Sequence, residues 1–200
     1  MNWIQTYTNR KFDYSDVESY APTVEEVAHC LSNTCRYNGH CKVFYSVAEH
    51  VARCAQLAFK LDLSPTIQYA ALHHDDDEAY TGDVVRPLKQ MLRVVHHEGY
   101  HEAFSTLEKR IQAHCRATFA VTWDDEIAGA VRDLDNVMLL VEKEFLLGPE
   151  PEPWAEVKVP DGWFQTARLL VGQRWRFGLA PAEAEEAYLE RHAWLLGLLS

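Results

Sequence analysis

Long apolar runs are missing from this chain. The longest, such as Val137 to Val141, fall far short of the roughly 20 residues that a membrane helix needs. Basic residues are scarce as well: 19 Lys and Arg stand against 30 Asp and Glu, a formal charge of -11. Nucleic-acid backbones call for clustered cations, so that class of partner is not expected. A small phosphorylated substrate is compatible, because a bound cation and two or three arginines reverse the sign of a site locally. The chain shows no glycine-rich phosphate loop, no internal repeat and no sustained alternation of polar and apolar residues. Its first residues carry Trp3, Tyr7 and Arg10 but no continuous apolar segment, so no secretory leader is expected. Cysteines number five, an odd count in a chain large enough to manage without staples. A reducing, cytoplasmic setting follows. Cys30, Cys35, His40 and Cys41 can be read as a zinc knot, but they do not fall into two pairs of the spacing such knots use, and free thiols are the expectation.

Two hundred residues suit a single domain, 1–200, with a core at about 23–147 and a helical extension at about 161–198. The patterning is helical throughout, which predicts an all-α bundle of seven or eight helices. Thr23 and Glu26 form a capping box before the stripe Val24, Val27, Ala28 and Leu31. Ser46 and Glu49 form another before Val47, Val51, Cys54, Ala58 and Leu61, with His50 at the flank of that stripe. Ser64-Pro65 opens a third helix, in which Ile67, Ala70, Ala71 and His74 share one face. Tyr80 to Arg86 reads as a loop. Helical patterns resume at about Pro87 to His96 and Tyr100 to Cys115. The longest pattern follows, Ile127 to Phe145, with Asp135 at the edge of its stripe and Gly148-Pro149 as its stop. Pro149 to Pro160 reads as an ordered surface loop anchored by Trp154. Helices from about Trp163 to Arg176 and Pro181 to Leu198 complete the chain.

The chemistry concentrates in His73-His74-Asp75-Asp76-Asp77-Glu78 and Asp83. Carboxylates at the end of a core-facing helix need partners or a cation. His50, His74, Asp75 and Asp135 are the candidate ligands of one divalent ion, and their mixed N/O set suits Zn, Co, Mn, Fe or Ni. Glu78, one turn after His74, can orient or deprotonate a water there, and Asp83 can approach from the other side. Arg36, Arg86 and Lys89 offer positive charge for phosphate, with Lys42 a further candidate. Asp76 and Asp77 are expected to face solvent or to support the ligands, and the doublet His96-His97 to lie at the surface or in packing.

The ordered set Cys35-Arg36-Tyr37-Asn38-Gly39-His40, Phe44-Tyr45-Ser46-Val47-Ala48-Glu49-His50, Leu72-His73-His74-Asp75 with Glu78 to Asp83, and Val131-Arg132-Asp133-Leu134-Asp135 resembles the HD-domain metal-dependent phosphohydrolases. It is most similar to the bacterial 5'-deoxynucleotidases and to phage-encoded relatives that include dATP triphosphohydrolases. The resemblance implies an HD-type helical bundle with additional C-terminal helices. It implies His50, His74, Asp75 and Asp135 as metal ligands, with Asp133 the competing choice for the last. Glu78 and Asp83 become the catalytic carboxylates, Arg36 the phosphate clamp, and His73 an extra histidine that does not bind. The implied activity is hydrolysis of a deoxynucleoside 5'-phosphate, purine favoured, releasing phosphate or triphosphate. A triphosphate substrate would bring an additional Mg or Co, which Asp76 or Asp83 could hold. Cyclic-nucleotide or alarmone hydrolysis, or a non-catalytic metal-stabilised domain, are the alternatives. Six tryptophans and nine tyrosines, more than one small core needs, point to a homodimer or higher homo-oligomer.

Overall fold

The computed structural model describes residues 2–95, Gly99 and 101–200. Among these the chain is mainly helical, with nine α-helices: α1 Val24–Asn33, α2 Val47–Lys60, α3 Pro65–Leu72, α4 Glu78–Thr81, α5 Arg86–Met91, α6 Phe104–Thr118, α7 Asp125–Leu146, α8 Trp163–Leu170 and α9 Pro181–Leu199. Among the described residues no helix is long and apolar enough to cross a membrane.

Helix α2 is the axis of the bundle. It packs against α1, α3, α7, α8 and α9. Its alanines Ala48, Ala52, Ala55 and Ala58 are all buried, and their small side chains let neighbouring helices come close. Ser46 caps it by accepting the Glu49 N–H. Thr23 and Ser64 do the same for α1 and α3, and Asp124 for α7. The expected capping boxes form only halfway, because both glutamates are drawn elsewhere. Glu49 accepts from Arg53 and from the backbone N–H groups of Gly178 and Leu179, which moors the segment before α9 to α2. Gly178 is required there: its φ is +90°, and a Cβ would meet Val43 at 3.0 Å. Glu26, fully buried, accepts from Tyr20, Tyr80 and Thr8.

Several boundaries differ from the sequence reading. The helix expected from Pro87 to His96 ends at Met91, and the next begins only at Phe104. Between them Arg93–Val95 (β3) pairs antiparallel with His101–Ala103 (β4), so the β-branched pair Val94-Val95 takes the extended form it favours. His96 and His97 lie outside the described residues. A second short pair, β1 Trp3–Gln5 and β2 Lys11–Asp13, went unread for want of length. It delivers Phe12, which is fully buried and stacks on Tyr80 at 4.2 Å. The helix begun at Trp163 stops at Leu170, where the chain turns through Gly172 at φ +81° and the N–H groups of Arg174 and Trp175 both reach back to the Leu170 carbonyl. Residues 149–160 carry no regular structure, and Lys143 Nζ sits 4.9 Å from the Trp154 ring.

Helix α9 closes one side of the bundle through a buried polar cluster. Tyr188 donates to Asp76 at 2.7 Å, Asp76 pairs with His73 Nδ1 at 2.7 Å, and His73 Nε2 meets His192 Nδ1 at 3.0 Å. Burial, and then the His73 ring, hold the His192 imidazole down to about 4. A base depressed on folding contributes stability that is present above its unfolded value near 6.5 and lost as pH falls through the folded one. Stability is therefore predicted to fall between pH 6.5 and about 4, and His192→Gln to flatten that part of the profile. Denaturant melts across this window test it; an unchanged slope in the variant contradicts it.

Candidate metal centre

Three elements bring the four candidate ligands together. Helix α2 supplies His50, the turn after α3 supplies His74 and Asp75, and the middle of α7 supplies Asp135. His50 Nε2 lies 3.2 Å from Asp135 Oδ1 and 3.8 Å from Asp75 Oδ2. His74 Nε2 lies 3.4 Å from Asp75 Oδ2 and 3.9 Å from Asp135 Oδ1. Oxygen and nitrogen donors bound at about 2.0–2.2 Å to one ion stand roughly 3–4 Å apart, which is the range found here. Among the described residues Asp133, the competing choice, makes no ion pair with either imidazole. His50 is fully buried rather than at a flank, while the Asp75 and Asp135 side chains are 22% and 33% exposed. The cluster thus has a closed imidazole side and an open carboxylate side.

Each imidazole is oriented from behind. His74 Nδ1 donates to the Ala71 carbonyl at 2.8 Å, leaving Nε2 facing the cluster. That Nε2 is buried and has no hydrogen-bond partner. His50 Nδ1 donates to Glu142 Oε1 at 2.5 Å. Glu142, seven residues after Asp135 and so two turns along α7, also accepts from Tyr45 at 2.9 Å, Tyr37 at 2.5 Å and Arg36 Nε at 3.3 Å. One imidazole therefore spans two carboxylates of the same helix.

The charges follow from this packing. Burial alone would raise the Glu142 carboxyl, but Arg36 and then His50 outweigh it and pull it down to about 2. For His50 and His74, burial works against the charged ring, yet both are raised. His50 gains from Cys54, Glu142 and Asp135, and His74 reaches about 10 through Asp75 and Asp135. Asp135, against the effect of desolvation, is held well below the carboxylate range by the two imidazoles beside it, His50 first and then His74. A place that holds protons on two imidazoles is one whose surroundings favour a cation.

Glu78 stands at the edge of this cluster. Its side chain is 6% exposed and its Oε2 is buried without a partner. Burial, and then the charges of Asp75 and Asp83, push its pKa well above the ordinary value. Arg36 Nη1 lies 3.6 Å from Asp75 Oδ2. The backbone carrying it is strained: Tyr37 and Asn38 both have positive φ, 58° and 50°, in the left-handed region that costs L-residues roughly 1–2 kcal/mol each. Asp83 holds that turn by accepting the Tyr37 N–H at 3.1 Å, while Glu142 holds the Tyr37 hydroxyl. Gly82, at φ +74°, ends α4 and aims Asp83 back at the turn.

Other expectations need correction. Arg86 is exposed on the first turn of α5 and makes no ion pair with the cluster among the described residues. Lys89 Nζ is engaged by Glu108 at 2.7 Å and lies 3.9 Å from Glu78. Lys42 sits at the far end of α7, where its ammonium donates to the Phe145 carbonyl, ten residues or roughly 15 Å along the helix from Asp135. A cleft of about 580 Å³ at that end, lined by Lys42, Lys143 and Phe164, is separate from the cluster. Asp76 and Asp77 do not face solvent. Asp76 is fully buried against His73 and Tyr188, and burial raises Asp77 to about 8. Cys35 and Cys41 approach to 4.0 Å between sulfurs, with all five cysteines free. The roles of Glu142, Tyr45 and Tyr188 went unread. A Glu seven residues after Asp135 was the available signal for Glu142; nothing local marks the tyrosines.

No family model matches the chain. It is 30% identical over 191 residues to the uncharacterized protein YfdR of Escherichia coli K12, covering 96% of this chain and 94% of that protein. It is 28% identical over 209 residues to an uncharacterized protein of Rhodobacter capsulatus, RCAP_rcc00048, covering 99% and 97%. The fold and cluster define a helical protein with a buried His/Asp centre. The chain belongs to the family of YfdR.

Removing one partner of a buried ion pair costs about 3–5 kcal/mol, because the other charge is left uncompensated. Glu142→Ala is predicted to lose about that much stability, and to weaken zinc binding by about 10–100-fold through a misoriented His50. Denaturant melts and zinc titration read the two effects. A variant with wild-type zinc affinity contradicts the orienting role.

Proposed function

We propose that the protein is a divalent-cation-dependent phosphohydrolase of the HD-domain type, acting on deoxynucleoside 5'-phosphates. What carries this reading is the convergence of His50, His74, Asp75 and Asp135 on one point, with the unpartnered oxygen of Glu78 and the guanidinium of Arg36 at its edge. The residues fit a cation on two counts. His74 Nε2 is a buried nitrogen with no partner, and the two-His, two-carboxylate set is one that first-row divalent ions accept. A bound ion would supply Lewis acidity toward a phosphate oxygen and lower the pKa of water.

The chain's own groups do the rest. His50 and His74, each tied down through Nδ1, would hold an ion through Nε2, and Asp75 and Asp135 would complete its protein shell. Glu78 accepts the proton of the attacking water; burial, and then crowding by Asp75 and Asp83, make its carboxylate a stronger base than an exposed one. Arg36 donates to the phosphate in place of its long contact to Asp75, while Glu142 keeps its Nε and fixes the side chain. Asp83 preserves the turn that aims Arg36, and in this reading it would help protonate or steer the leaving 5' oxygen. Lys89, through Glu78 and Glu108, contributes positive charge at the rim. A catalytic rather than a purely structural ion is favoured by Glu78, since a structural ion needs no carboxylate with a buried, unpartnered oxygen beside it.

Asp75→Ala is predicted to abolish both metal binding and turnover, and Glu78→Ala to keep the metal while losing turnover by a factor of 10²–10⁴, on the order of general-base contributions. Stoichiometric metal analysis and phosphate release from a panel of deoxynucleoside mono-, di- and triphosphates measure this. The leaving product, phosphate or intact triphosphate, identifies the substrate class. Undiminished release by a chelator-stripped sample would end the reading.

A further inference from the structure

We infer that Cys54 is a fifth donor of the cation centre, so that the site has a mixed nitrogen, oxygen and sulfur shell and takes zinc- or cobalt-class ions in preference to magnesium. The inference rests on the cation site proposed above and goes beyond it by naming a ligand outside the His/Asp set. Cys54 follows His50 by four residues on α2, so the two side chains stack on one face, one turn apart. The thiol is fully buried. Its Sγ lies 3.6 Å from His50 Nε2, the same nitrogen that faces Asp135 and Asp75. Donor atoms of His50, Cys54 and His74 all lie within 4.8 Å of one another. Around a five-coordinate ion with bonds of about 2.0 Å to nitrogen and 2.3 Å to sulfur, neighbouring donors stand roughly 3.0–3.7 Å apart, a range that includes this separation.

An independent observation points the same way. His74 Nε2, on a side chain 8% exposed, is aimed into this space with no hydrogen-bond partner. Such an atom normally pairs. Cys54 and His74 come from different helical segments, so helix periodicity accounts for the His50–Cys54 neighbourhood but not for the third donor.

Without an ion, the Cys54 sulfur and the His50 Nε2 are simply neighbours at 3.6 Å. With one, the thiol proton leaves to solvent and the sulfur becomes a thiolate ligand. A thiolate is soft, and magnesium keeps to oxygen, so the consequence is metal choice.

The test uses cobalt(II), whose bonds to thiolate give a near-ultraviolet charge-transfer band. The full chain should bind one equivalent of Co2+ with this band. Cys54→Ser and Cys54→Ala should bind Co2+ without it, and should lose at least tenfold of the preference for Zn2+ over Mg2+. A Cys35→Ser/Cys41→Ser double variant should keep the band, which excludes the other close pair of thiols. X-ray absorption of the zinc-loaded wild type, which needs no variant to fold, should show a sulfur at about 2.3 Å. Asp75-dependent Co2+ binding with no charge-transfer band and no sulfur neighbour overturns the inference, as does a band that survives Cys54→Ala. Phosphate release by the same loaded sample would then leave the phosphohydrolase reading standing, whereas its absence there would count against that reading separately.

Discussion

The contact between His50 and Glu142 is the constraint on which the centre depends. Two fully buried groups, one on α2 and one on α7, meet at 2.5 Å. Buried charges are tolerated only when they are paired and hydrogen-bonded, and Glu142 meets that demand with four donors. Through these bonds it fixes the ring of His50, the guanidinium of Arg36 and the strained turn at Tyr37. Helix α7 therefore does two things with one face: Asp135 enters the cluster, and Glu142, two turns on, orients what surrounds it.

The second side of the centre is held differently. His74 and Asp75 lie just past the end of α3, where helical geometry no longer positions them. Their neighbours do so instead: Asp76 and His73 are tied to Tyr188 on α9, and Gln112 on α6 donates to the His73 carbonyl and accepts the Asp77 N–H. The acidic run is thus divided. Asp75 and Glu78 turn toward the cluster, while Asp76 turns into the bundle. The C-terminal helix, though remote in sequence, supports the ligand turn directly.

Much of the bundle was legible because it rests on local chemistry. Thr23 and Ser46 cap the helices they were read to cap, Ser64-Pro65 opens the helix it was read to open, and the stripe on α7 is buried from Ile127 to Val141. The grouping of His50, His74, Asp75 and Asp135 was suggested by His50 and Asp135 at the edges of core stripes and by His74 on the core face of its own helix, with Asp75 beside it. What could not be read depended on partners distant in sequence. Nothing beside Asp76 says that Tyr188 will bury it, and nothing beside Glu26 or Glu49 says that a tyrosine or the Gly178 backbone will claim a carboxylate written as part of a capping box. Strands of three residues, such as Arg93–Val95, are too short for a period to register. Cys54 was read as a core residue, which it is; only the position of His74 gives its sulfur a second meaning.

The central claim is that residues from α2, the turn after α3, and α7 form one cation site. Crystals grown with cobalt or manganese and measured at the absorption edge of that metal test it most directly. A single strong anomalous peak within about 2.0–2.3 Å of His50 Nε2, His74 Nε2 and the carboxylates of Asp75 and Asp135 is the predicted result. A protein that takes up the metal but places it elsewhere, with the two imidazoles still bonded to the two aspartates, would contradict it.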